Sequence, residues 1–119
     1  MHAPVTEQTR GMIGAEQFAK MKDGACYVNA ARAMLHDTDA LTAALQSGKL
    51  SSVGLDHFEH EWLDPNHPLA KMPNVVLTPH IGGATYDTEA NHSKLIADDV
   101  VRILRGDKPV NCVNPEVLH

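Results

Sequence analysis

The sequence has few features that would point to a membrane, a nucleic acid or an export signal. No apolar run exceeds five residues, whereas a membrane helix needs ~20. The first ten residues also lack the charged-then-apolar order of a signal peptide. Ten Lys and Arg against fifteen Asp and Glu give a net charge of -5 without any basic run, so neither nucleic acid nor an anionic membrane is an expected partner. A cytoplasmic protein is therefore predicted.

Cysteine is scarce as well. Cys26 and Cys112 lie far apart and form no CxxC motif, which favours free thiols in a reducing compartment. Free cysteine behaves as a small apolar side chain, so both are predicted to fill space in the core.

Histidine, by contrast, is abundant, with eight residues in the chain. His57, His60 and Glu61 lie close together and raise the question of a metal. Their segment, HFEHE, is not the HExxH motif of zinc proteases, and two loop histidines three residues apart have no fixed geometry. No metal site is therefore predicted, and scattered histidines such as His36 are expected in solvent.

The chain alternates helical patterns with short apolar runs. N-cap residues and apolar spacing predict three helices, which begin after Gly14, after Asp37 and near Thr85, the last ending before Gly106. Three strands are predicted at residues 25–28, in SSVGLD and in NVVLTP. Because these strands lack clean alternation, they are expected to be buried on both faces of a parallel α/β sheet.

Three strands are too few for a complete doubly wound domain. Such a sheet usually has about five or six strands, and this chain adds at most a stub before Pro4. A GxGxxG motif, which would place a helix N-terminus at a pyrophosphate, is missing from the sequence. The predicted fold class is therefore the second half of a doubly wound parallel α/β sheet, with a long C-terminal helix.

The residues that follow each predicted strand are unusually polar. They are Asn29 to Arg32, Asp56 to Glu61, and Pro79 to Gly83. Ligands of parallel sheets bind beyond these carboxyl ends. A guanidinium suits a carboxylate ligand, and a histidine beside a carboxylate can exchange a proton near neutral pH. One such group alone is more often part of a surface ion pair, and this alternative stays open; complementary groups at three strand ends favour redox or proton chemistry on a small acid.

Two blocks of the sequence resemble a known family. NAARAMLHDTDALTAALQSGKLSSVGLDHFEHEWL and HPLAKMPNVVLTPHIGGAT are similar to signature blocks of the D-isomer-specific 2-hydroxyacid dehydrogenases, which include phosphoglycerate, glycerate and D-lactate dehydrogenases. The resemblance extends over nearly the whole chain. It implies a partial Rossmann-like sheet, NAD as the cofactor with NADP not excluded, a 2-hydroxyacid or 2-ketoacid substrate, and a homodimer.

The resemblance also implies a role for three residues. His80 looks like the family's general acid/base, which protonates the ketone oxygen in reduction and takes the hydroxyl proton in oxidation. Glu61 looks like the carboxylate that orients this imidazole and favours its protonated form. Arg32 looks like the arginine that binds the substrate carboxylate and polarises the carbonyl.

A second group of residues is implied to contact the cofactor. Asp56 occupies the position that bonds the nicotinamide carboxamide in this family. Ala30, Ala31, Gly82 and Gly83 would lie against the nicotinamide. His2 and Pro4 would lie against the adenosine end.

The chain departs from the family pattern at three positions. Ala33 stands where the family often has Gly, His57 where it often has Val, and Trp62 where it often has Pro. An alanine at position 33 is a mild change unless the backbone there needs a positive φ. The roles of His57 and Trp62 are left open.

The same resemblance implies how the chain is organised. Residues 1–106 would be the C-terminal portion of an NAD-binding domain, and residues 107–119 a tail that returns to a substrate domain. Because no phosphate-binding loop is encoded, we expect a C-terminal fragment that has no turnover on its own. The alternative is a non-catalytic module that self-associates through half-sheet edges and apolar faces.

Overall fold

A three-stranded parallel sheet forms the centre of the first part of the chain. The computed structural model describes residues 1–118, and the chain divides into a first unit, Met1–Gly82, and a second that begins at Gly83. In chain order the first unit contains α1 (Ala15–Lys20), β1 (Ala25–Asn29), α2 (Thr38–Gln46), β2 (Leu50–Leu55), α3 (Pro68–Lys71) and β3 (Val75–Leu77), and the second contains α4 (Tyr86–Leu104).

The strands lie in the order β1-β2-β3, and both pairs are parallel. Tyr27 is opposite Val53, which in turn is opposite Val75. Parallel neighbours need a crossover connection, and α2 and α3 each lie in one of the two crossovers. The predicted α/β class with a parallel sheet is confirmed, and the carboxyl ends of all three strands share one edge.

Local capping explains where the first two helices begin. Gly14 is the N-cap of α1, and its amide donates to the side chain of Gln17 at 3.0 Å. The Asp37 carboxylate accepts from the amide of Ala40 at 3.0 Å, as expected for an N-cap aspartate. Gly48 follows α2 with a φ of 75°, a conformation that glycine adopts without strain.

One face of the sheet carries the core. Phe18 packs edge-on against Tyr27, with ring centroids 5.3 Å apart, and fully buried leucines from α2, β2 and α3 complete the cluster. The opposite face is open, since the exposed fraction is 59% for Val28 and 67% for Val76. The prediction that the strands are buried on both faces is therefore wrong. Cys26 is exposed too, so the thiol is free but does not fill the core.

Two predictions about irregular segments also need correction. The connection between β2 and β3, for which the sequence predicts no helix, contains a 3-10 turn at Glu59–Glu61 and the helix α3. No strand precedes Pro4 in the described chain. Instead, the terminal ammonium of Met1 donates to the carbonyl of Val28 at 2.8 Å.

The second unit is built on α4, as the apolar spacing predicts. The Thr85 side chain accepts from the amide of Thr88 at 3.1 Å and caps the helix. Beyond Gly106 the chain turns back, and the Asp99 carboxylate accepts from the amides of Val110 and Asn111, each at 2.8 Å. Within residues 1–118, no helix has the length and apolar character to cross a membrane.

Candidate active site

A histidine and a carboxylate meet at the carboxyl edge of the sheet. His80 follows β3, and Glu61 ends the 3-10 turn that follows β2. His80 Nδ1 lies 3.0 Å from Glu61 Oε2, and both side chains are exposed. A histidine hydrogen-bonded to a carboxylate can be oriented by it for proton exchange. The predicted pair is therefore in contact, with the His80 Nε2 edge turned away from the carboxylate.

Both members of this pair have an unusual backbone conformation. Glu61 has a φ of 56° and His80 a φ of 55°, and His60 beside them has a φ of 58°. The left-handed region costs a residue with a Cβ on the order of 1–3 kcal/mol and is often found at functional sites. All non-glycine residues with positive φ in residues 1–118 belong to the two loops that present the His80–Glu61 pair.

Arg32 reaches the same region from the end of β1. Its Nη1 donates to its neighbour's carbonyl, Ala31 O, at 2.7 Å and to His57 Nε2 at 3.0 Å. The ring of His57 lies against that of His80, with centroids 3.6 Å apart. The three predicted catalytic residues are thus brought together, but through a fourth residue, His57, to which the sequence assigned no role.

Asp56 lies directly after β2 and holds the loop that carries His80. Its Oδ1 accepts from the Thr78 hydroxyl at 2.5 Å and from the amide of Ile81 at 2.9 Å, and its Oδ2 accepts from the amide of Gly82 at 2.7 Å. These bonds, first that from Thr78, stabilise the ionised carboxylate and lower the pKa of Asp56 to about 2. The predicted contact of Asp56 with a nicotinamide carboxamide stays a prediction.

A buried polar network positions the loop that follows β1. The Asn29 amide group donates to His36 Nδ1 and to the carbonyl of Arg32, each at 2.9 Å, while its oxygen accepts from the amide of Ala31 at 3.0 Å. His36 is buried, so the prediction of solvent exposure is wrong. Burial lowers the pKa of His36. Asn29 and His36 were missed as supporting residues because side-chain partners this far from the reacting groups leave no sequence pattern.

Three of the cavities at the site are lined by predicted site residues. One of about 780 Å³ is lined by Glu61, Trp62 and His80 among others. A second, of about 630 Å³, is lined by four of the predicted cofactor contacts, His2, Pro4, Ala30 and Ala31, and by the predicted catalytic residue Arg32. A third, of about 230 Å³, is lined by residues that include Ala30, Asp56 and Gly82. Gly83 is the first residue of the second unit, and its predicted contact stays a prediction.

The three departures from the family pattern have different settings. Ala33 does not have a positive φ, so its methyl group causes no backbone strain. Trp62 is largely exposed beside the larger cavity. His57 is buried, and His57, Glu61 and His80 each offer a ligand atom within 4.8 Å of the others, close enough to be considered as metal ligands. From the sequence, His57 and Glu61 were considered as metal ligands together with His60, but His60 does not belong to this group.

The fold and the site together define a class of protein. A parallel α/β sheet that presents a histidine–carboxylate pair and an arginine at its carboxyl edge is typical of a Rossmann-type ligand-binding domain. The family model described as "D-isomer specific 2-hydroxyacid dehydrogenase, NAD binding domain" matches residues 1–82. The chain therefore belongs to the D-isomer specific 2-hydroxyacid dehydrogenase family, as its sequence motifs predict.

Individual relatives agree with this assignment. The chain is 49% identical over 115 residues to glyoxylate/hydroxypyruvate reductase B of Cronobacter sakazakii, an alignment that covers 97% of this chain and 36% of that protein. The protein of the same name from Yersinia enterocolitica is 50% identical over 115 residues, with coverages of 97% and 35%. The chain spans about a third of the length of the curated relatives it matches.

Solved structures agree as well. The NAD complex of the D-isomer specific 2-hydroxyacid dehydrogenase from Lactobacillus delbrueckii ssp. bulgaricus has a TM-score of 0.85 at 36% identity, over 95% of this chain and 38% of that one. The Xanthobacter autotrophicus Py2 enzyme in complex with NADPH has a TM-score of 0.80 at 36% identity, over 99% and 48%. A nicotinamide dinucleotide is thus the cofactor of this family, as predicted.

Proposed function

We propose that this chain carries the catalytic residues of an NAD-dependent oxidoreductase that interconverts a D-2-hydroxyacid and its 2-ketoacid. The observation that carries the proposal is the hydrogen bond between His80 and Glu61, 3.0 Å long, at the sheet edge that Arg32 also reaches. An acid, its orienting carboxylate and a cationic clamp come from three neighbouring strand ends. Such convergence is what a planar ketoacid needs around one carbon.

His80 moves the proton. Because its Nδ1 faces Glu61, its Nε2 is the nitrogen available to a ligand. In the direction of reduction, Nε2–H donates a proton to the ketone oxygen, and in oxidation neutral Nε2 takes the hydroxyl proton. Glu61 keeps the ring in the orientation that this exchange requires.

Arg32 binds the substrate carboxylate. Its guanidinium has five N–H donors in a planar fork, and its Nη1 uses two contacts, to Ala31 O and to His57. The remaining N–H groups of Arg32 are left for the carboxylate and carbonyl oxygens of the substrate. The 2-hydroxyacid class is favoured because it pairs an anionic end with a carbon that exchanges a proton and a hydride.

The residues at this edge fit a nicotinamide dinucleotide. The two smaller cavities are lined by small side chains, Ala30 and Ala31, and by Gly82. Asp56 fixes the backbone of Gly82 at the border between sheet and cavity. When bound, the cofactor supplies or accepts the hydride. Ala30, Ala31 and Gly82 leave room for its nicotinamide end.

Glyoxylate and hydroxypyruvate are the first substrates to test, because curated relatives at about half identity are named as their reductases. We suggest a chimera in which this chain replaces the matching third of the Cronobacter sakazakii relative. NADH and NADPH oxidation with each ketoacid would be measured. Turnover that depends on His80 supports the proposal, whereas a folded chimera that binds NADH and lacks turnover would contradict it.

The 119-residue chain is expected to be inactive on its own, since positioning and electrostatic terms need a held cofactor. Assay of the purified chain with NADH and a panel of 2-ketoacids tests this expectation.

Self-association, as a homodimer or as a non-catalytic module, is supported by the exposed Val28 and Val76 on the open sheet face. The mass from size-exclusion chromatography combined with an NADH titration distinguishes an enzyme homodimer from a non-catalytic module, because a purely associative module dimerises but does not bind NADH. The free thiols of Cys26 and Cys112 support a cytoplasmic location.

A further inference from the structure

His57 links the arginine to the acid/base pair. It follows Asp56 at the end of β2 and is 4% exposed. Its Nε2 lies 3.0 Å from Arg32 Nη1, and its Nδ1 lies 3.7 Å from Glu61 Oε1. Its ring also contacts the ring of His80, with centroids 3.6 Å apart and a tilt of 56° between the ring planes.

The contact with Arg32 determines where the proton of His57 lies. A guanidinium only donates hydrogen bonds, so His57 Nε2 must accept and must carry a lone pair. The single ring proton is then on Nδ1, and the imidazole is neutral. The surroundings agree: burial and the nearby charges of His80 and Arg32 lower the pKa of His57, and Glu61 and Asp56 oppose them.

This tautomer directs an N–H at Glu61. His57 Nδ1 is buried without a hydrogen-bond partner among the described residues, and at 3.7 Å the Glu61 oxygen is just beyond bonding range. A buried donor without an acceptor is unfavourable. The Glu61 side chain is half exposed and can rotate, so a small movement completes the bond without releasing His80 from Oε2. Catalytic hydrogen bonds are often long before ligand binds.

We propose that His57 is a positioning residue that joins Arg32 to the His80–Glu61 pair through a neutral imidazole with its proton on Nδ1. This inference rests on the proposed function and adds a residue to it. Nε2 holds the guanidinium toward the substrate carboxylate, and Nδ1–H holds the second oxygen of Glu61. The anion clamp and the acid/base pair are then oriented together rather than separately.

A metal ion is the competing interpretation of the same atoms. His57, Glu61 and His80 each offer one ligand atom within 4.8 Å of the others, and because His57 Nε2 faces Arg32, the nitrogen of His57 left for a metal is Nδ1. A metal ion bound at His57 Nδ1 would need the lone pair of that nitrogen, so the ring proton would be on Nε2. The Nε2–H would then point at Arg32 Nη1, which is 3.0 Å away. Two donors would face each other, and a cation would lie near the guanidinium. The observations therefore favour the proton over the metal.

The purified chain itself provides the first test. Long-range ¹H–¹⁵N correlation spectra of ¹⁵N-histidine-labelled chain report the tautomer of each ring, and the variant His57→Gln assigns the signals of His57. At pH 7 we expect His57 to be neutral with its proton on Nδ1 and to be unaffected by one equivalent of zinc chloride. A proton on Nε2, an imidazolium, or a stoichiometric zinc shift at both His57 and His80 would overturn the proposal.

Kinetics in the chimera provide the second test. Glutamine can imitate both contacts of His57, because its oxygen accepts from Arg32 and its N–H donates to Glu61. Valine, which the family often has here, keeps the apolar volume without either bond. We expect His57→Val to raise KM for the ketoacid on the order of 10-fold, as for lost supporting partners in other sites. His57→Gln should stay within about 3-fold of the parent.

The two proposals fail in different ways. Absence of His80-dependent turnover in the folded parent chimera counts against the proposed function, while the histidine spectra of the chain still decide the tautomer. An active parent in which His57→Val leaves KM unchanged, or in which His57→Gln is no better than His57→Val, overturns the positioning role alone. Thermal midpoints of all variants, measured by circular dichroism, show whether a loss arises from unfolding.

Discussion

Gly82 lies so close to Asp56 that a Cβ built on the glycine would be 2.8 Å from Oδ2 of the carboxylate. The close approach allows the amide of Gly82 to donate to Oδ2 at 2.7 Å. The family resemblance implies a different role for this glycine, which is to lie against the nicotinamide. The contact within the chain supplies a requirement of its own, because it anchors the loop that carries His80.

The neighbouring glycine makes this requirement testable. Gly82→Ala places a methyl group against Asp56 and should lower the free energy of unfolding by about 1–3 kcal/mol. Gly83→Ala, at a position where a Cβ would meet no atom within 4 Å, should change it by less than ~0.5 kcal/mol. Urea unfolding followed by circular dichroism compares the two. Equal effects would mean that Asp56 can move away at little cost.

Asp56 should contribute to stability in a defined range of pH. Its pKa is about 2 in the folded chain against 3.8 ordinarily, so the unfolded chain binds more protons as the solution is acidified. The stabilisation is fully present above about pH 4 and is lost as pH falls toward 2. Asp56→Asn lacks this titration. The gap between the urea midpoints of parent and variant should therefore narrow between pH 4 and pH 2, and a constant gap would contradict the assignment.

His36 should make the folded chain sensitive to mild acid. Burial lowers its pKa below the ordinary value of 6.5, and its Nδ1 accepts from Asn29. Below pH 6.5 His36 binds a proton in the unfolded chain but not in the folded chain, so the free energy of unfolding decreases as pH falls. His36→Gln keeps an acceptor and does not titrate. Its unfolding midpoint should depend less on pH than that of the parent between pH 7.5 and 5.5.

A second histidine should contribute to the same pH dependence of stability. The pKa of His57 is also lowered, chiefly by burial, so His57→Gln should remove a separate part of the same pH dependence. Because the two rings have different partners, the two effects are expected to add approximately. If the unfolding midpoint of the double variant, His36→Gln with His57→Gln, depended on pH as that of the parent does, neither ring would change its protonation on unfolding.

Three of the helices, the three strands and the convergence of the candidate site residues were predictable, because they depend on local patterns and on the family resemblance. N-cap residues such as Asp37 and the polar ends of strands are visible in one dimension, and the structure places Arg32, Glu61 and His80 within one connected group. Burial was less predictable. Whether Val28 is covered depends on what packs on the sheet face, and alternation over a five-residue strand is too short to show it.

The supporting residues of the site could not be predicted for a related reason. His36 and His57 are ordinary polar residues in the sequence, and they acquire a role only through partners 7 and 25 positions away. Strain at Glu61 and His80 is hidden as well, because a positive φ leaves a sequence signal only when the residue is glycine or asparagine.

That strain offers a matched control for the catalytic role of His80. His80 and His60 both have left-handed backbones, with φ of 55° and 58°, and asparagine tolerates this region better than most residues. In the chimera, His80→Asn should lower kcat by about 10²–10⁴-fold, the usual contribution of a general acid/base. His60→Asn should leave kcat within about 3-fold, since no role in proton exchange is assigned to it.

Comparison of the two variants separates chemistry from conformation. If relief of strain at a left-handed position were the cause of lost activity, His60→Asn would lose activity to a similar degree, because it lies next to Glu61 on the same strained turn. If proton exchange is the cause, only His80→Asn loses it, and the loss appears in kcat while NADH affinity stays near that of the parent. Fluorescence titration with NADH and initial rates with glyoxylate measure both quantities on the same preparations.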